Sequence, residues 1–190
     1  KTMIAGICLN FSYLIEIIGQ SNQDFLVSSL NFDQTMKLYT YVKSMMARII
    51  ENEPFKSLAE ETQVQLYSRE IKSLVDANTI HTISFESGKF DGKHFKLAVA
   101  DEVGELRTDE GISKITSGQV NTEGSRFIEI STSYQTPDVP FHQEQKKLIE
   151  IMERDFDRSG DDQLCLIWSQ DNLEEVFKPE TWPKSNPLLN

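Results

Sequence analysis

Two cysteines, three histidines and 19 basic side chains set against 30 acidic ones mark what this 190-residue chain has little of. Cys8 and Cys165 both stand in apolar runs, so the sequence predicts buried free thiols in a reducing compartment rather than a disulfide scaffold. His81, His94 and His142 lie far apart with no paired-His or Cys spacing, which leaves no recognisable zinc site. The formal charge of −11 excludes binding to nucleic acid over the whole surface, because phosphate contacts need clustered Lys and Arg. A local positive lip remains open, with Lys89, Lys93, Lys96 and Lys114 as its candidates. Long hydrophobic runs are missing too. The opening TMIAGICLNFSYLIEII is interrupted by Asn10, Ser12 and Glu16, falls short of the ~20 apolar residues of a membrane span, and precedes no small-residue cleavage site. It reads as a cytoplasmic chain beginning with a helix over 2–18, apolar nearly all round and buried between layers.

What is present is ordinary for one globular domain: 38% hydrophobic and 26% charged residues, with no internal repeat. DFLVSSL (24–30) reads as a buried strand. Asn31 or Asp33 can cap the next helix, in which Met36, Tyr39, Val42, Met46 and Ile49 recur at helical spacing until Pro54. REIKSLVDANTIHTISFES (69–87) reads as two β-runs around an Ala-Asn turn. FKLAVA (95–100) is short and continuous, like a strand covered on both faces. A helix over 108–118 and a strand in SRFIEISTS (125–133) follow. Pro140 opens a helix whose expected inner stripe is Leu148, Ile151, Met152 and Phe156, closed by Gly160. QLCLIWS (163–169) is predicted as a last buried strand, and Trp168 and Trp182 as core or domain-edge packing. Strands alternating with helices specify an α/β domain on a mostly parallel sheet.

The chemistry concentrates in FKLAVADEVGEL, where an apolar strand delivers two adjacent acids, Asp101 and Glu102. Ligands of such sheets bind outside the carboxyl ends of the strands, and Ser131, Thr132 and Ser133 leave another strand at that same rim. The first carboxylate can hold Mg²⁺, directly or through its waters, while the second takes a proton from an attacking water or orients it. Lys1-Thr2 directly precedes a helix, the arrangement that ends a phosphate-binding loop. There the lysine meets the β/γ-phosphates, the hydroxyl binds Mg²⁺, and the helix N-terminus favours the anion.

Taken together, KTMIAGICLNF, VSSLNFDQ, SFESGKFDGKHFKLAVADEVGE, FIEISTSYQ and DNLEEVFKPETWPKSNPLL resemble the ATPase half of the large terminase subunit of tailed bacteriophages, over essentially all 190 residues. The resemblance implies a P-loop NTPase-like fold of the RecA/ASCE type, a mostly parallel sheet flanked by helices. On its pattern Lys1 and Thr2 match the end of Walker A, with Thr2 also on the metal. Asp101 matches the Walker B metal acid and Glu102 the catalytic glutamate. Ser131, Thr132 and Ser133 match the segment that responds to the γ-phosphate. Lys89 and Lys93 occupy the neighbourhood where some relatives carry an arginine that reaches the adjacent subunit, and Arg69, Arg107 and Arg126 are further candidates for that role.

The resemblance also implies an ATP hydrolase that uses ATP and Mg²⁺ to drive double-stranded DNA into a capsid. The implied partners are a portal protein, the small terminase subunit and sister subunits in a homo-oligomeric motor. The implied location is the host cytoplasm at the procapsid. The P-loop glycines and the strand feeding them are not in the sequence, so an ATPase domain truncated at its N-terminus is expected over 1–170, with an extended linker towards a nuclease domain over 171–190. Two alternatives stay open: a two-metal nuclease built on Asp101 and Glu102, and a non-catalytic docking module of the packaging complex.

Overall fold

The computed structural model describes residues 1–132, 138–154 and 163–188, in two compact units, Lys1–Gln143 and Glu144–Asn190. Helices α1 (Thr2–Phe11), α2 (Phe32–Ile49), α3 (Phe55–Thr62), α4 (Glu110–Gln119), α5 (Pro140–Glu153) and α6 (Trp182–Ser185) accompany strands β1 (Asp24–Ser28), β2 (Val64–Leu66), β3 (Glu70–Ser73), β4 (Thr79–Thr82), β5 (Phe95–Asp101) and β6 (Arg126–Ile130). The six strands form one sheet in the order β2-β3-β4-β1-β5-β6. β4, β1, β5 and β6 run parallel, while β2 and β3 are antiparallel additions. The carboxyl ends of four strands therefore share one rim.

Side-chain alternation decides which face of the sheet meets which helix. Phe25 and Val27 of β1, with Leu97 and Val99 of β5, pack into a buried cluster with Ala5 and Leu9 of α1 and Leu38, Tyr39, Val42 and Met46 of α2. Leu26 and Ala98 face the other way, onto Phe90, Phe95 and Ile115 of α4. The covering of both faces explains why the β1 and β5 runs are continuously apolar. Asn31 starts α2 as expected, its side-chain oxygen accepting from the Gln34 amide at 2.9 Å. The turn between β3 and β4 is tied down by buried Asn78. Its amide donates to the Gln20 carbonyl at 2.9 Å, its side-chain oxygen accepts from the Gln23 amide at 2.8 Å, and its carbonyl accepts from the Tyr13 hydroxyl at 3.0 Å.

Several expectations need correction. α1 is not buried all round: Met3, Ile4, Ile7, Cys8 and Phe11 are exposed, because only one flank of the helix meets α2 and the sheet. Cys8 is thus an accessible thiol, while Cys165 is half-buried. The helix does not continue uniformly to residue 18 but passes into a π-helical turn over Ser12–Glu16. Residues 163–169 form no strand, and Leu164, Leu166 and Trp168 are exposed; apolar content without a sheet neighbour does not make a strand. None of the described side chains of α5 is fully buried and Met152 is exposed, while Phe156 and Gly160 lie outside the described residues. Trp182 is exposed rather than in a core, its indole N–H donating to the Val176 carbonyl at 3.1 Å.

The second unit is organised by polar contacts instead. Asn172 accepts from the Glu174 amide at 3.0 Å, and Lys184 reaches Asp171 at 2.7 Å and Glu175 at 2.6 Å.

Two measurements test this packing. A Cβ added at Gly118 of α4 would meet the Lys93 carbonyl oxygen at 2.3 Å, so Gly118→Ala is expected to destabilise by about 1–3 kcal/mol in urea unfolding despite alanine's better helix propensity. Asp24 Oδ1 lies 2.7 Å from His81 Nε2. Burial alone would raise the Asp24 carboxyl, but His81, with Lys93 and His94, outweighs it and holds it below the ordinary carboxylate range. A depressed folded pKa supplies stability that is complete above the unfolded value of about 4 and is lost as pH falls through the folded one. Asp24→Asn should therefore flatten the acid side of the stability–pH curve, read by denaturant midpoints between pH 5 and pH 2.

Candidate functional site

The exit of β5 on the shared rim carries a set of polar contacts among residues far apart in the chain. Asp101 closes the strand, and Glu102 follows in the left-handed region at φ 57°, ψ 36°, a conformation that non-glycine residues adopt only when their surroundings impose it. A 3₁₀ turn over Val103–Glu105 follows at once. The Asp101 carboxylate is held through both oxygens: Oδ1 accepts from the Glu102 amide at 3.0 Å and Oδ2 from the Thr2 hydroxyl at 3.2 Å. Burial raises its pKa above the usual carboxylate range and the charge of Glu102 pushes the same way, while the Glu102 amide, Thr2 and Lys1 pull it back.

Lys1 and Thr2 reach this place because α1 begins there. Lys1 is the N-cap residue of α1, and its ammonium stands 3.5 Å from Glu102 Oε1. Residues a hundred positions apart in the chain are thus joined as a pair of contacts, Thr2 with Asp101 and Lys1 with Glu102. The free amides of the α1 N-terminus face the same rim and favour an anion.

β6 delivers the third component. Its register places Ile130 beside Asp101, so Ser131 emerges next to Glu102, and its hydroxyl accepts from the Gly104 amide at 2.9 Å and donates to the Thr132 carbonyl at 2.9 Å. Thr132 is exposed, and Ser133 lies outside the described residues. From β1 comes Ser29, whose hydroxyl donates to the Asp101 carbonyl at 3.0 Å. Sequence reading assigned no role to Ser29, although a small hydroxyl at the end of an apolar strand is the same signal that singled out Ser131.

The basic candidates are distributed differently. Arg126 opens β6 at the opposite rim and pairs with Glu16 and Ser12, which ties it to the π turn. Arg69 stacks on the Phe32 ring with its guanidinium carbon 5.0 Å from the centroid. Lys114 pairs with Glu110 and Asp91, Lys96 donates to the Glu123 carbonyl, and Lys89 and Arg107 are exposed.

The donor set suits a hard cation, since one carboxylate oxygen of Asp101 and the Thr2 hydroxyl lie side by side, 3.2 Å apart. The model of the terminase large subunit ATPase domain matches residues 1–148. The chain belongs to that family. Its fold agrees. The large terminase of bacteriophage HK97 superposes with a TM-score of 0.69 at 22% identity, covering 98% of this chain and 36% of that one. An arginine-to-alanine variant of the ATPase domain of the Thermus phage P74-26 large terminase gives 0.52 at 13% identity, covering 70% and 55%. The large terminase of a further thermophilic bacteriophage gives 0.51 at 16% identity, covering 76% and 35%. The chain spans about a third of the HK97 protein's length and about half that of the P74-26 domain. No curated protein sequence gives a match. Among the described residues, no helix is long and apolar enough to cross a membrane.

Within this terminase-type domain, Ser131→Ala should leave the Gly104 amide without its partner and lower stability by about 0.5–1.5 kcal/mol, with Ser131→Thr nearer the parent, as checked by denaturant unfolding.

Proposed function

We propose that this domain is the ATP-hydrolysing part of a phage DNA-packaging motor, in which hydrolysis drives double-stranded DNA into a capsid. Family membership supplies the terminase ATPase frame. The single observation that carries the finer reading is the convergence of Lys1 and Thr2 with Asp101 and Glu102 at one strand-end rim, the set that in-line water attack on a terminal phosphate requires.

Each side chain has a role that follows from its surroundings. Lys1, at the α1 N-terminus, neutralises β/γ-phosphate oxygens together with the helix amides. Thr2 Oγ1 and Asp101 Oδ2 lie close enough to hold one Mg²⁺ between them. When bound, that ion spreads the charge that develops on the phosphate oxygens. Glu102 accepts the proton of the attacking water or orients it, and its carboxylate lies 3.5 Å from the Lys1 ammonium that would meet the phosphate. Ser131 and Thr132 stand where a change at the phosphate can be passed to β6, and Ser133 belongs to the same proposal. The full motor would add the portal protein, the small terminase subunit and sister subunits. On the same reading, residues 171–190 lead towards a nuclease domain, and the protein works in the host cytoplasm at the procapsid. The two-metal nuclease alternative gains nothing from the geometry. The strand neighbouring β5 on the β6 side ends in hydroxyls, and among the described residues no group of three or more His, Cys, Asp or Glu could hold a metal.

In the full-length protein, Glu102→Gln is expected to lower the single-turnover hydrolysis rate roughly 10²–10⁴-fold while ATP binding, followed by calorimetry, survives. Undiminished hydrolysis would remove Glu102 from the mechanism, and loss of all nucleotide binding in the parent protein would favour the docking-module reading.

A further inference from the structure

The left-handed backbone at Glu102 needs a cause. Its φ of 57° is unfavourable for a side chain with a Cβ, and the residue is followed immediately by a 3₁₀ turn closed by the Glu105 amide on the Glu102 carbonyl at 3.1 Å. Two contacts bracket the strained residue. Behind it, the Ser29 hydroxyl takes the Asp101 carbonyl at 3.0 Å. Ahead of it, the Gly104 amide is held by Ser131.

Ser29 is itself unusually well anchored. It is 1% exposed. Its amide donates to Thr35 Oγ1 at 3.1 Å, and that hydroxyl in turn donates to the Asn31 carbonyl at 2.9 Å. Its carbonyl accepts from the Phe85 amide at 3.0 Å. Gln34 Oε1 stands 3.5 Å from the Ser29 hydroxyl, but a serine has one proton to give, and the shorter contact to Asp101 takes it.

We infer that Ser29 is a positioning residue for Glu102: fixed to the start of α2 and to the 83–88 loop, it holds the Asp101–Glu102 peptide plane so that the following residue turns left-handed and presents its carboxylate towards Lys1. This inference rests on the proposed hydrolytic role of Glu102. Its mechanism is geometric. If the Asp101 carbonyl is free to rotate, Glu102 relaxes towards a right-handed or extended conformation and its carboxylate leaves the position from which it addresses water. Misplacement of a reacting group by about an ångström lowers the rate on the order of 10²-fold without removing any group from the site. The side chain of Ser29 needs no contact with nucleotide for this, so the effect falls on kcat rather than on KM.

The test has a kinetic arm and a thermodynamic arm. In the full-length protein, Ser29→Ala is expected to lower kcat roughly 10–100-fold with KM for ATP unchanged, and Ser29→Thr, which retains the hydroxyl, to restore most of the loss. An unchanged kcat in Ser29→Ala while Glu102→Gln remains inactive would overturn the inference and leave the hydrolytic reading standing. Full activity in Glu102→Gln would instead overturn that reading.

The thermodynamic arm uses the 190-residue chain without nucleotide. Glu102→Gly removes the Cβ that makes φ 57° unfavourable and should raise the melting temperature by roughly 2–4 °C. If Ser29 imposes the conformation, the same glycine substitution placed in Ser29→Ala should raise it by less than about half as much, since little strain is left to relieve. An equal rise in both backgrounds would show that Ser29 packs the core without shaping residue 102, and would overturn the inference on its own.

Discussion

The contact between the amino end of α1 and the carboxyl end of β5 is the constraint around which the larger unit is arranged. Thr2 meets Asp101 and Lys1 meets Glu102, and both contacts require α1 to lie along the face formed by Phe25, Val27, Leu97 and Val99. That packing is hydrophobic and non-directional, so on its own it would tolerate sliding of the helix. The polar pair at the rim removes this freedom. At the other end of the same layer, Arg126 of β6 pairs with Glu16 in the π turn after α1, so the helix is pinned at both ends while apolar contacts fill the length between.

Partial burial of Asp101 raises its pKa, and the charge of Glu102 acts the same way, against the pull of the Glu102 amide, the Thr2 hydroxyl and Lys1. The strain at Glu102 belongs to the same economy of the site. Unfavourable backbone conformations persist where the surroundings over-determine them, and Ser29, Ser131 and the Asp101 carboxylate supply three directional bonds about a single turn.

Much of the larger unit was legible in the chain. The continuous apolar runs at 25–27 and 95–100 announced strands covered on both faces, Asn31 announced a helix start, and the pair of runs around Ala77-Asn78 announced β3 and β4. Asp101 and Glu102 stood out because an apolar strand ending on two adjacent acids can set a metal acid beside a base, and the family wording around them gave that weak signal its weight. Periodicity misled where an element lacked a neighbour. α1 is apolar enough to be buried all round, yet Met3, Ile7 and Phe11 face outward, since hydrophobicity records a capacity for burial and not the presence of a covering layer. Residues 163–169 failed for the same reason, because a strand needs a partner for its backbone groups and no pattern within one segment says whether a partner arrives. The contribution of Ser29 was invisible for a different reason: a buried serine at a strand end is common, and only its distance to the Asp101 carbonyl distinguishes it.

The amino-acid order by itself determined the types of β1, α2, β3, β4, β5, α4 and β6, the cap at Asn31, and the family wording that identified a terminase ATPase domain, because these depend on local spacing and side-chain chemistry, whereas 55–70, which holds α3 and β2, stayed ambiguous. Only the tertiary structure decided that Lys1 and Thr2 reach the acids at 101 and 102, that Glu102 is left-handed, and that Ser29 and Ser131 bracket it. Those facts depend on how strands from distant parts of the chain line up in one sheet, and register is a property of pairing that no single segment contains.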